Sequence, residues 1–156
     1  MSTIEQSIEV KVPLSTAYNQ WTQFEEFPSF MESVEKVIQQ DDETLHWVAE
    51  IGGQTREWDA KITEQRPDER VAWTSIDGEV KQAGVVTFHR LDDSQTRIML
   101  QMEFEPEGAA EKAGDALGII KRRVKGDLER FKEMIESRGQ ETGGWRGEID
   151  NRGQVG

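Results

Sequence analysis

Apolar and polar residues alternate from Thr3 to Val12, with Ile4, Ile8, Val10 and Val12 on one parity and Glu5, Ser7, Glu9 and Lys11 on the other. That period of two predicts a half-buried strand, which Pro13 ends. Ser15 is placed to cap a short helix that carries Ala17, Tyr18 and Trp21 on one side. Pro28 then forces a break before a second short helical segment around Ser29 to Glu32.

Six further alternating segments follow: Val34–Gln40, Leu45–Ile51, Gln54–Glu64, Arg70–Ile76, Lys81–Leu91 and Thr96–Pro106. Turn residues separate them, among them Asp41-Asp42-Glu43, Gly52-Gly53, Pro67-Asp68-Glu69, Asp77-Gly78 and Asp92-Asp93-Ser94. Such short connections suit antiparallel neighbours, and none has room for a crossover helix. The expectation is a seven-stranded antiparallel meander with one apolar face, built from Leu45/Trp47/Ala49, Trp58/Ala60/Ile62, Val71/Trp73, Val86/Phe88 and Ile98/Leu100/Met102.

From about Ala109 to Arg138 the apolar period becomes 3.6, with Ala113, Leu117, Ile120, Val124, Leu128, Phe131 and Ile135 recurring along one stripe. Gly139 is placed as the stop of this long amphipathic helix. The element order is therefore β-α-α-β6-α, an α+β class in which a curved sheet must be covered chiefly by its last helix. A twisted sheet of this width curls around a single helix, and the space left over is filled by large side chains, water or a ligand. The first half of the helix offers Ala113, Gly114, Ala116 and Gly118, and the second half offers Leu128, Phe131, Met134 and Ile135. Volume withheld at one end means either a cavity there or a close approach by a neighbouring loop.

The 156 residues and 35% hydrophobic content suit one domain, read as residues 1–139. Residues 140–156 hold five glycines among seventeen residues and are expected to form a flexible acidic tail in which Trp145 anchors onto the domain or onto a partner. The chain has no cysteine, which removes disulfides, thiolate nucleophiles and Cys-type metal sites. A net charge of -12 repels phosphate backbones and anionic lipid surfaces, so no nucleic-acid partner is expected. No apolar run is long enough to span a bilayer and no signal segment opens the chain, so the expected location is the cytoplasm, without stable membrane insertion.

The opening Ile8-Glu-Val-Lys-Val-Pro-Leu-Ser-Thr-Ala-Tyr-Asn-Gln-Trp21, the segment Phe24-Glu-Glu-Phe-Pro-Ser-Phe30, Arg70-Val-Ala-Trp-Thr-Ser-Ile-Asp-Gly78, Gly84-Val-Val-Thr-Phe88 and the closing helix together resemble the SRPBCC superfamily. That group has the helix-grip fold and includes START domains and birch-pollen-allergen-like proteins. The likeness is nearest to its polyketide cyclase/dehydrase and coenzyme Q-binding-like branch, and it spans roughly Ile4 to Gly139. The resemblance implies a cavity between sheet and C-terminal helix for a small apolar molecule: a lipid, an isoprenoid quinone or an aromatic polyketide. It leaves carrier and enzyme both open.

The candidate cavity residues on the sheet are Trp47, Arg56, Trp58 and Trp73, then Ser75, Gln82, Phe88 and Met102. On the helix they are Ala113, Leu117 and Ile120. His46 and His89 sit on the parity opposite Trp47 and Phe88 and are expected to face solvent, and the carboxylates are scattered rather than paired. No phosphate loop, nucleotide fingerprint, catalytic triad or metal motif is present, so no catalytic residue, metal or cofactor is assigned. The residues favour a non-catalytic binding or carrier protein. The alternative is an aromatase/cyclase-type enzyme in which Arg56 with Gln82 or Ser75 activates the carbonyls of a polyketide. A further alternative is a protein-interaction module, and the oligomeric state stays open.

Overall fold

The computed structural model describes residues 2–51, 53–78, 80–105, 113–150 and 153–154. Strand β1 (Ser2–Val10) leads into helix α1 (Leu14–Trp21) and a 3-10 turn (Phe24–Ser29). Then come β2 (Val34–Gln39), β3 (Thr44–Ile51), β4 (Gln54–Arg66), β5 (Arg70–Gly78), β6 (Lys81–Asp92) and β7 (Gln95–Glu105). Helix α2 (Ala113–Arg138) follows, with two short strands, β8 (Ile149–Asp150) and β9 (Gly153–Gln154), after it.

The seven long strands form one antiparallel sheet in the order β1-β7-β6-β5-β4-β3-β2. Each hairpin from β2 to β7 joins sequence neighbours, and β1 closes the far side by pairing with β7 from Ser2↔Phe104 to Val10↔Thr96. The expected helix-grip arrangement is present: a curled sheet against a long C-terminal helix.

Packing at one end is aromatic. Trp21 lies 5.1 Å from Phe131 and 6.0 Å from Phe30, ring centre to ring centre, and Phe30 lies 5.1 Å from Phe131. The two edge-to-face contacts with Phe131 add roughly 0.5–1.5 kcal/mol each beyond the area they bury. Leu128, Phe131 and Ile135 are all buried on the inner side of α2, and Gly139, at a φ of 75°, ends the helix with its N–H on the Ile135 carbonyl.

Three local expectations change. Ser15 does not cap α1; the cap position is Pro13, and the Ser15 hydroxyl donates to Asp68 at 3.0 Å. The second helical turn comes earlier than expected and contains Pro28, because the Phe27 carbonyl takes the N–H groups of Phe30 and Met31 and spans the proline. A bulge between Ile62 and Glu64 slips the β4–β5 register, so the buried position after Ile62 falls on Gln65 rather than on Glu64.

The largest change concerns the expected flexible tail. Residues 141–150 run as a strap across α1, the 3-10 turn and the end of β4. The Gln20 side-chain carbonyl accepts the Thr142 N–H at 2.9 Å, and the Thr22 hydroxyl accepts the Trp145 N–H at 3.0 Å. Arg146 pairs with Asp68 at 2.8 Å and lies 5.6 Å over the Tyr18 ring. A Cβ on Gly144 would come 2.8 Å from Asn19 Cγ, so only glycine lets the strap lie this close. Ile149, 1% exposed, inserts beside Gln65 and opens the short strand pair β8–β9. Polar partners, a half-buried Trp145 packed against the core and the buried Ile149 thus hold the strap, with Trp145 anchored onto the domain as one of its two expected roles.

Burial of Ile149 is the strap's apolar anchor. Ile149→Ala is expected to lower unfolding stability by about 2–3 kcal/mol, read as a shift in urea midpoint at constant slope.

Candidate functional site

Between the sheet and α2 lies a mostly apolar cavity of about 160 Å³. Its floor comes from Trp47 and Trp58 on paired strands, Trp73 on β5, and Gln82 and Met102 on β6 and β7. Trp21, Phe24 and Phe27 close the side next to α1. Helix α2 supplies Ile120, Val124 and Leu128 with a rim of Ile119, Arg123 and Asp127. The rim side opens toward solvent, where Ile119 is 42% exposed.

The tryptophans are placed by register. Trp47 and Trp58 are direct cross-strand partners in β3–β4, and their rings stack 5.8 Å apart at 6°. Trp73 faces Gly84 across β5–β6, and a Cβ on Gly84 would come 2.7 Å from the Trp73 ring. The indole has its place only because residue 84 has no side chain. The indole N–H groups of Trp47, Trp58 and Trp73 are buried, and among the described residues none has a hydrogen-bond partner. The Gln82 amide adds a donor whose partner is only the Met102 sulfur, at 3.0 Å.

Six of the eleven cavity candidates line this space: Trp47, Trp58, Trp73, Gln82, Met102 and Ile120. Phe88 does not; it packs in the aromatic core against Tyr18 at 5.4 Å and Trp21 at 6.3 Å, because α1 covers that part of β6. Arg56 keeps the inward parity but sits near the β3–β4 turn, beyond the cavity, where its guanidinium donates to Gln54 at 3.0 Å. Ser75 is half-buried away from the lining, and its hydroxyl accepts the Gln82 N–H at 3.0 Å, extending the β5–β6 ladder by one bond. The side chains of Ala113 and Leu117 lie outside the described residues. Among the described residues nothing comes within 4 Å of where a Gly118 side chain would be, so none of them makes a close approach there.

Sequence reasoning missed the rim. Arg123 donates through Nη1 to the Ser33 hydroxyl and, at 3.4 Å, to the Glu50 carbonyl. Asp127 accepts from Arg130 at 2.5 Å and from the Glu32 N–H at 3.1 Å, and burial outweighs these bonds and raises its pKa above the ordinary aspartate value. The signal for both was available: Ile120, Arg123, Val124 and Asp127 are spaced three or four apart on the inner stripe of the helix.

The histidines lie elsewhere. His46, on the outer face of β3, holds Asp59 at 2.7 Å and Glu57 at 3.0 Å, and His89 is exposed beside Thr87. The described residues contain no group of three or more His, Asp or Glu side chains placed to hold a metal ion, and none of their helices is long and apolar enough to cross a membrane. Tyr18, buried under the strap, has its pKa pushed up to about 12, chiefly by desolvation.

Two outcomes follow. Gly84→Ala is expected to displace the Trp73 ring and lower stability by about 1–3 kcal/mol, with an altered tryptophan emission maximum. The Asp59 and Glu57 hydrogen bonds raise the His46 pKa above the ordinary histidine value. Their stabilisation is therefore complete below about pH 6.5 and is lost as pH rises through the folded-state pKa. His46→Gln is expected to remove that loss of stability above neutrality, measured as thermal midpoint against pH.

The profile of the family described as polyketide cyclase / dehydrase and lipid transport matches residues 10–133. An uncharacterised 17.2 kDa protein of Streptomyces lincolnensis, from the melC2-rnhH intergenic region, is 64% identical over 149 residues, covering 96% of this chain and 99% of that one. Solved structures share the fold at low identity. The Zhui aromatase/cyclase of a Streptomyces species superposes with a TM-score of 0.74 at 16% identity, over 92% of this chain and 99% of that one. A START superfamily protein of Mycobacterium smegmatis gives 0.71 at 15%, over 85% and 98%. A protein of Thermus thermophilus gives 0.76 at 17%, over 89% and 100%.

Proposed function

The chain belongs to the polyketide cyclase / dehydrase and lipid transport family, and we propose that it acts as a binding or carrier protein for a small apolar ligand held between the sheet and α2. The observation that carries this reading is the apolar cavity whose floor is built by Trp47, Trp58 and Trp73. An apolar body with an oxygen acceptor for the Gln82 amide fits that lining. A lipid, an isoprenoid quinone and an aromatic polyketide all have this character.

Size narrows the choice. An apolar cavity of roughly 150 Å³ takes up one benzene, and pockets for larger ligands run to roughly 300–1,000 Å³. The present volume suits one ring or a short chain, and a longer ligand needs the α2 side to move outward. The carrier reading is favoured over a cyclase because the polar groups that would polarise a substrate together do not gather in the cavity. Gln82 lines the cavity, Arg56 lies beyond it and the Ser75 hydroxyl is engaged with backbone.

Native mass spectrometry of gently purified protein is expected to show a bound apolar molecule. A panel of lipids, quinones and aromatic ketones is expected to contain at least one that raises the thermal midpoint by roughly 5–10 °C at a hundredfold excess over its Kd. A protein that carries nothing and is not shifted by any of the panel would overturn the reading.

A further inference from the structure

The stretch of α2 that borders the cavity carries a charge pattern unlike the rest of the chain. From Gly118 to Gly126 the sequence is Gly-Ile-Ile-Lys-Arg-Arg-Val-Lys-Gly, four cations and no acid, in a chain of net charge -12. Lys121, Arg122 and Lys125 are exposed, and Arg123 is half-buried at the cavity edge.

Arg123 is singled out by its bonds. Both of its hydrogen bonds leave from Nη1, and both go to neutral acceptors, the Ser33 hydroxyl and the Glu50 carbonyl. Among the described residues its Nε and Nη2 have no acceptor, and no carboxylate pairs with it. The other rim charges are differently engaged: Asp127 is held by Arg130 at 2.5 Å, Arg130 also reaches Glu32 at 3.6 Å, and the Glu50 side chain is exposed. The Nε/Nη2 edge of a guanidinium is a two-donor fork that matches the two oxygens of a carboxylate.

Resting on the apolar-ligand reading above, we propose that the ligand is a small amphipathic acid: an aryl or short-alkyl chain enters the cavity while its carboxylate docks on the Nε/Nη2 edge of Arg123. The limited volume accepts one ring or a short chain. The guanidinium is already fixed by Ser33 and Glu50, so little side-chain freedom is lost on binding. Lys121, Arg122 and Lys125, exposed on the same stretch of α2, offset part of the chain's negative charge near the cavity, which weakens the repulsion of an approaching anion.

The test titrates the full chain with 3-phenylpropionate and with 3-phenyl-1-propanol, the same apolar body with and without the charge, and reads fluorescence of the cavity tryptophans. The acid is expected to bind at least tenfold more tightly than the alcohol, and raising salt from about 0.05 to 0.5 M weakens the acid alone. Arg123→Gln brings the two affinities within about twofold, and Arg123→Lys, which keeps the charge without the fork, retains an intermediate preference. Circular dichroism and thermal midpoints confirm that both variants fold. Equal affinities in the native chain, or a preference for the acid that survives Arg123→Gln, would overturn the proposal while leaving the apolar-ligand reading intact. Binding of neither probe, with no stabilisation by the wider panel, removes both.

Discussion

A single helix has to cover the concave face of a seven-stranded sheet, and the aromatic contact of Phe131 with Trp21 and Phe30 decides where that cover is tight. Three elements meet there: α2, α1 and the loop after the 3-10 turn. Because rings fill that end completely, the mismatch between a narrow helix and a broad, twisted sheet collects at the other end. The cavity beside Ile120 and Val124 is the remainder of that packing problem.

The strap bears on the same constraint from outside. Trp21, Phe24 and Phe27 face the cavity, and Gln20, Thr22 and Asn19 on the opposite side of the same chain segment bind residues 141–146. The wall of the cavity next to α1 is thus held from behind by a segment remote in sequence. Its bonds are polar and individually modest, about 0.5–1.5 kcal/mol each, but several of them fix one short length of chain.

Electrostatics follows local placement rather than the total. The acid excess is spread over the surface, and the stretch of α2 from Gly118 to Gly126 locally reverses its sign. Net charge correctly describes repulsion at a distance, whereas within a Debye length of about 8 Å a ligand at the rim meets Arg123 together with Glu50 and Asp127.

Periodicity alone determined the architecture: period two through β1–β7, turn residues between them and period 3.6 from α2 to Gly139 leave one sheet and one covering helix. It also determined which faces turn inward, and so brought Trp47, Trp58, Trp73, Gln82, Met102 and Ile120 to one side. Position along the inner face was not in the pattern. Parity says that Phe88 and Arg56 point inward, but only the packing of α1 against β6 places Phe88 in the core, and only the length of β4 carries Arg56 past the cavity. The bulge after Ile62 shifts the register by one residue, a change of backbone geometry that leaves no mark in residue type, and it moves burial to Gln65. The strap was illegible for a related reason: glycines and polar residues look like tail until Asn19, Gln20, Thr22 and Asp68 are brought beside them. Contacts between segments more than a hundred residues apart depend on where the chain returns, and that is decided by the tertiary fold.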